Sequence, residues 1–229
     1  MPDDTLADLA KMFDHSLLQP TLTDADLDRG FQVARDYNVA SVCVKPYAVA
    51  RAATALKGSG VLVGTVIGFP HGGHLSKIKA AEGDAAMVDG AVELDMVVNI
   101  GKVLSGDWTY VRDDIAAVVG LAHRNGAKVK VIFENCFLQD EHKIELCRIC
   151  GELRADWVKT STGYGDSGAT DHDLILMRKH SPAHVQVKAA GGVRTFDRVL
   201  AVRALGVTRI GATATKAILD DCRQRLAAK

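Results

Sequence analysis

The sequence predicts an α/β protein folded as a single (β/α)8 TIM barrel, and three observations point there. Eight short apolar runs rich in Val and Ile recur along the chain, near residues 12–18, 39–44, 61–67, 92–98, 128–134, 155–160, 184–189 and 207–211. Their starts lie roughly 22 to 36 residues apart, room for a strand, a helix and two loops. Within several runs charged residues alternate with apolar ones. A doubly wound open sheet, the rival with the same β/α alternation, is covered on both faces and calls for nearly continuous apolar strands.

The elements follow in order. Phe13 to Leu18 opens the series, and Leu27, Phe31 and Ala34 follow at helical spacing with one apolar face. Val39–Val44 and Val61–Ile67 supply the second and third runs. In the fourth, Glu93, Asp95, Val97 and Asn99 share one face, and Leu94, Met96 and Val98 the other. Ile115, Val118, Val119 and Ala122 form the next helical face, stopped at Asn125-Gly126. In the fifth run Lys130, Ile132 and Glu134 oppose Val129, Val131 and Phe133. Cys147 and Cys150 share a helix face with Ile144 and Leu153 and read as core. Trp157, Lys159 and Ser161 line up opposite Val158 in the sixth run. Thr170-Asp171-His172-Asp173 then reads as a helix start with a capping-box acid. Gln186 and Lys188 oppose Val185 and Val187 in the seventh run, and Leu205-Gly206 stops the helix before the eighth. The apolar sets are expected to pack under helices and the polar sets to point into the barrel.

The chain has 229 residues with 28 Lys+Arg against 28 Asp+Glu, which argues against a polyanion binder and gives no sign of a nucleic-acid partner. Residues 1–229 read as one domain without linkers. The start, Met1 to Asp8, is acidic where a signal peptide is basic, and the longest apolar stretch, Val61–Phe69, is about half a membrane span. The expectation is no membrane association. Five scattered cysteines suggest a reducing, cytoplasmic location and no disulfide framework.

The chemistry concentrates at strand ends. Asp95, Lys159 and Lys188 occupy equivalent late positions in their runs. A single such lysine is often just the first solvated residue after a strand; two lysines and an acid together point to imine chemistry. A nucleophilic lysine must be neutral, so its pKa must fall from ~10.4 towards 7. A second ammonium ~5 Å away supplies ~3 kcal/mol of that at an effective dielectric constant near 20, with burial supplying the rest. Asp95 would steer proton transfers. Gly191-Gly192-Val193-Arg194-Thr195 and Gly211-Ala212-Thr213-Ala214-Thr215 follow the seventh and eighth runs, where many barrels hold phosphate. Gly163-Tyr164-Gly165-Asp166-Ser167-Gly168 matches a dinucleotide fingerprint, but the next strand ends Lys188-Ala189-Ala190, without the ribose-binding acid. His71 and His74 lack an obvious third ligand, so no metal is expected there. Cys43 faces the same way as Ser41, near the mouth, with no assigned role.

Six segments together resemble deoxyribose-phosphate aldolase: Phe13-Asp14-His15-Ser16-Leu17-Leu18, Ser41–Val44, Thr65–Gly72, Glu93–Gly101, Val158–Gly163 and Val187–Thr195. The resemblance runs in order from about residue 12 to 219. It implies a (β/α)8 class I aldolase that reversibly cleaves 2-deoxy-D-ribose 5-phosphate to D-glyceraldehyde 3-phosphate and acetaldehyde, with no cofactor and no metal. By position it implies Lys159 as the imine-forming lysine, Asp95 as the proton-relay acid and Lys188 as the second lysine. Gly163, Gly191, Gly192 and Gly211 match the phosphate cradle. Where the family usually has two adjacent hydroxyl residues, this chain has Thr213 and Ala214, a lost donor that could cost ~1 kcal/mol of phosphate binding. Family resemblance also implies a homodimer or homotetramer. The alternatives are another phosphate-binding barrel enzyme, such as an isomerase or metal-dependent aldolase, and an inactive sugar-phosphate-binding barrel.

Overall fold

The computed structural model describes residues 5–227, so the first four residues of the acidic N-terminal stretch lie outside it. Among the described residues, eight parallel strands close into a barrel in chain order, the last pairing with the first. They are β1 (Phe13–Leu17), β2 (Ser41–Val44), β3 (Leu62–Ile67), β4 (Glu93–Val97), β5 (Lys128–Ile132), β6 (Trp157–Lys159), β7 (Gln186–Ala190) and β8 (Arg209–Ala212). The helices are α1 (Leu6–Ala10) before the first strand, then α2 (Asp24–Tyr37), α3 (Val49–Leu56), α4 (Ser76–Val88), α5 (Ile100–Leu104), α6 (Trp108–Arg124), α7 (Asp140–Glu152), α8 (Asp171–His180), α9 (Phe196–Ala204) and α10 (Thr215–Ala227). None of them is long and apolar enough to cross a membrane.

The helical faces read from the sequence are the buried ones. Leu27, Phe31 and Ala34 of α2 and Ile115, Val118, Val119 and Ala122 of α6 pack onto the barrel. Beneath them Leu94, Met96, Val129, Val131, Val158, Val185 and Val187 are fully buried. Each such side chain contributes about 1.5–3 kcal/mol. Cys147 and Cys150 are fully buried in α7, with Cys147 Sγ 3.9 Å from the Met177 carbonyl of α8.

The strand ends depart from the apolar runs for local reasons. Val39 bonds back to the Ala34 carbonyl and finishes α2, so β2 begins at Ser41. Asp156 spends its carboxylate on the Val129 amide, and β6 starts only at Trp157. β5 stops at Ile132, and Glu134 turns the chain with a left-handed φ of 59°. The expected capping box at α8 is half formed. Thr170 accepts the Asp173 amide at 3.1 Å, but the Asp173 carboxylate is taken by Lys143 at 2.6 Å and cannot return to the cap.

Inside the barrel, Trp157 carries cations on its face. The Arg209 guanidinium lies 4.9 Å and Lys130 Nζ 5.6 Å from the ring centroid. This floor supports a layer of charged side chains beneath the C-terminal mouth.

Candidate active site

The strand pleat aims Asp95, Lys159 and Lys188 into the barrel, where each is almost fully buried. Lys159 Nζ and Lys188 Nζ both donate to the same oxygen, Asp95 Oδ2, at 2.8 and 2.7 Å. Lys130 Nζ takes the other oxygen, Oδ1, at 2.8 Å. The three predicted catalytic residues therefore form one contact group.

The cluster extends further than the pattern showed. Asp14 of β1 accepts from Lys188, from Ser41 Oγ at 2.6 Å and from Arg209 at 2.6 Å. Arg209 also grips Glu93 with two bonds at 3.0 and 3.1 Å, and Lys130 reaches Glu93 at 2.6 Å. Glu134 stands outside this group. The sequence pattern placed it among the interior acids, but its left-handed turn carries its carboxylate to the Thr162 amide and hydroxyl instead.

Among the described residues the cluster holds three carboxylates, Asp14, Glu93 and Asp95, against four bases, Lys130, Lys159, Lys188 and Arg209. A buried group of this kind is balanced only when one base is neutral. Lys159 is the base that the carboxylates hold least. It meets one carboxylate, whereas Lys188 and Arg209 each meet two and Lys130 meets three. Burial pushes the Lys159 amine below the ordinary lysine range; Asp95 pulls it back and the Lys188 ammonium pushes it down again. Burial, not the neighbouring ammonium, is thus the larger cause. Lys188 behaves oppositely: burial lowers it, but Asp14 and Asp95 outweigh burial and hold it above the ordinary range. Lys130 is raised in the same way, against burial, by Asp14, Asp95 and Glu93. Asp95 would be raised by burial, yet the surrounding amines, Lys130 foremost, hold it well below the usual carboxylate range.

Lys159 and Lys188 open onto a cavity of about 170 Å³ at the C-terminal mouth. Gly163, Gly191, Gly192, Gly211 and Thr213 line the same cavity, so the structure gathers the expected phosphate residues with the lysines. Gly163 and Gly192 have left-handed φ values of 89° and 83°, and the space a Cβ would take is empty, so a ligand can approach the backbone. Gly211 comes close to Lys188, with a hypothetical Cβ 3.5 Å from Cε. Gly168, the last glycine of the apparent dinucleotide fingerprint, is instead pressed against Gly191, backbone to backbone. Arg194 also lines the cavity and adds a cation that the glycine-loop reading left unused. The opposite character comes from Leu18 and Cys43, which pack with Val66 and Phe69. Burial pushes the Cys43 thiol up to about 11. His71 and His74 are exposed, and no three metal-ligating side chains gather among the described residues.

A buried lysine with a lowered pKa, beside a glycine-lined cavity at the mouth of a barrel, is an arrangement suited to carbonyl chemistry. Comparison with known proteins agrees. Residues 8–220 match the family described as DeoC/LacD family aldolase. The chain is 59% identical to the deoxyribose-phosphate aldolase of Rhodopirellula baltica over 226 residues, 99% of this chain and 94% of that one. It is 46% identical to the enzyme of the same name from Thermococcus gammatolerans over 218 residues, 94% of this chain and 97% of the other. The solved deoxyribose phosphate aldolase of Aeropyrum pernix, described as a unique tetrameric structure, superposes with a TM-score of 0.89 at 29% identity, covering 96% of this chain and 93% of its own. With its fold and nearly its whole length in agreement, the chain belongs to the DeoC/LacD family of aldolases.

Proposed function

We propose that this aldolase, acting as one catalytic domain, reversibly cleaves 2-deoxy-D-ribose 5-phosphate to D-glyceraldehyde 3-phosphate and acetaldehyde through an imine at Lys159. The observation that carries this reading is the charge imbalance of the buried cluster, which leaves Lys159 as the neutral base facing the cavity.

Lys159 attacks the C1 aldehyde of the open-chain sugar, and the carbinolamine takes up one proton and loses water to give a protonated imine. Removal of the C3 hydroxyl proton lets the C2–C3 bond break, its electron pair passing into the imine. D-Glyceraldehyde 3-phosphate leaves, and an enamine remains on Lys159. Protonation at C2 and hydrolysis release acetaldehyde and restore the amine. Lys188 stays charged beside the reacting nitrogen and disfavours its protonation. Asp95, bonded to both lysine nitrogens through one oxygen, orients them and relays protons at the Lys159 nitrogen.

The phosphate rests on Gly163, Gly191, Gly192, Gly211 and Thr213, with Arg194 facing it. Ala214 precedes α10 and accepts the Ile218 amide, yet it has no side-chain oxygen to cap the helix. The bound phosphate serves that end. We further propose a homodimer or homotetramer, supported by the tetrameric Aeropyrum pernix relative, in a reducing cytoplasmic setting that suits five thiols outside any disulfide.

Two results are expected. Cleavage of deoxyribose 5-phosphate exceeds that of deoxyribose by about a hundredfold or more in kcat/KM, and Ala214→Ser lowers KM for the phosphorylated sugar about fivefold by adding one donor. Equal rates on the two sugars would falsify the phosphate assignment. Second, kcat/KM rises with pH as Lys159 loses its proton, with a midpoint below ~10.4. Lys188→Met removes one push and leaves Asp95 to Lys159, so the midpoint moves up. The pH–rate profiles of both proteins check the shift.

A further inference from the structure

Glu134 has no part in the buried charge cluster, yet it is held with unusual care. It adopts a left-handed backbone, φ 59° and ψ 65°, unfavourable for a residue with a Cβ and found most often at functional sites. Its side chain is 2% exposed and accepts both the Thr162 amide, at 3.2 Å, and the Thr162 hydroxyl. Thr162 Oγ1 in turn accepts the Tyr164 amide at 3.0 Å. Gly163 of the phosphate cradle therefore sits between two amides fixed by side chains. Gly165 lies so close that a Cβ there would stand 3.1 Å from Glu134 Cδ.

Tyr164 carries the same loop across the mouth. Its ring meets Phe69 edge to face, with centroids 5.4 Å apart, and its hydroxyl donates to the Leu18 carbonyl at 2.8 Å. Phe69 follows β3 and Leu18 follows β1. One chain of contacts thus runs from β5, through the loop after Lys159, to the loops on the opposite side. Thr162 and Tyr164 both line the cavity that holds Lys159.

We propose that Glu134 and Tyr164 are positioning residues for the phosphate end of the substrate. Glu134 sets the Gly163 backbone through Thr162, and Tyr164 straps that loop across the mouth. This rests on the reading that Gly163 helps hold phosphate. Glu134 bonds Thr162, and Tyr164 bonds the Leu18 carbonyl, rather than the charged group around Lys159, so their effect falls on KM for the phosphorylated sugar more than on kcat.

The test uses the full chain carrying Tyr164→Phe or Glu134→Gln, assayed on deoxyribose 5-phosphate and on deoxyribose, with inorganic phosphate as competing anion. Tyr164 is 42% exposed and phenylalanine keeps the ring contact with Phe69, so this variant carries the test even where Glu134→Gln does not fold. KM for the phosphorylated sugar is expected to rise about fivefold in Tyr164→Phe and about tenfold in Glu134→Gln, with weaker inhibition by phosphate in the same proportion. KM for deoxyribose stays put. A wild type that discriminates between the sugars, with a Tyr164→Phe variant that discriminates equally, overturns the proposal alone. Equal losses on both sugars also overturn it, since they show a purely structural role. A wild type blind to the phosphate sinks this proposal and the phosphate cradle together.

Discussion

Lys159→Met is expected to lower kcat for deoxyribose 5-phosphate cleavage by about four orders of magnitude or more, while the protein melts within a few degrees of the wild type. Without the amine no imine forms. Lys188 cannot substitute, because Asp14 and Asp95 keep it protonated and a protonated amine has no lone pair to attack with. On the proposed reading the lost group is neutral, so the fold is expected to survive. Asp14, Glu93 and Asp95 still face Lys130, Lys188 and Arg209, and what disappears is one hydrogen bond to Asp95 worth about 1 kcal/mol. For a chain of this size that is about 2–4 °C of melting temperature. Steady-state kinetics and thermal denaturation measure both halves. A large drop in melting temperature would show that Lys159 was charged and carried an ion pair, contrary to the balance argued here.

Asp95→Asn reverses the pattern. It removes a negative charge that three amines share and leaves Asp14 and Glu93 to face the cations. Breaking a buried network from one side typically costs 3–5 kcal/mol, so a fall of roughly 10 °C in melting temperature is expected. Activity falls by about two to four orders of magnitude, since both lysines lose the acceptor that orients them and passes protons. A variant that melts like the wild type would mean that Asp95 is not the keystone its three contacts indicate.

Much of this was legible in the chain of residues. Each of the eight apolar runs became a strand, and Asp95, Lys159 and Lys188 were exposed by polar–apolar alternation in β4, β6 and β7. The same alternation exists in β1 and β8 but is masked. In β1, His15 lies on the apolar face, where burial drives its pKa down to about 4 and keeps it neutral; as a polar letter it hides the contrast with Asp14. In β8, Gly211 and Ala212 carry no polarity to compare with Arg209. Glu134 failed for another reason. Period-two reasoning assumes that the strand continues, and the left-handed backbone at Glu134 breaks the period there. Capping chemistry at α8 was half readable because a tertiary partner, Lys143, outbids a local one for Asp173. Local pattern thus located the strands and the Asp95, Lys159 and Lys188 group; which lysine meets the fewest carboxylates depended on counting charges drawn from six different strands.

The most direct measurement is reductive trapping. Incubation of the wild type with acetaldehyde and borohydride, followed by peptide mass mapping, is predicted to place an N-ethyl group on Lys159 and to leave Lys188 unmodified. Lys159→Met should show no adduct in the barrel. An adduct on Lys188, or one that persists undiminished in Lys159→Met, would contradict the assignment of Lys159 as the neutral, imine-forming base.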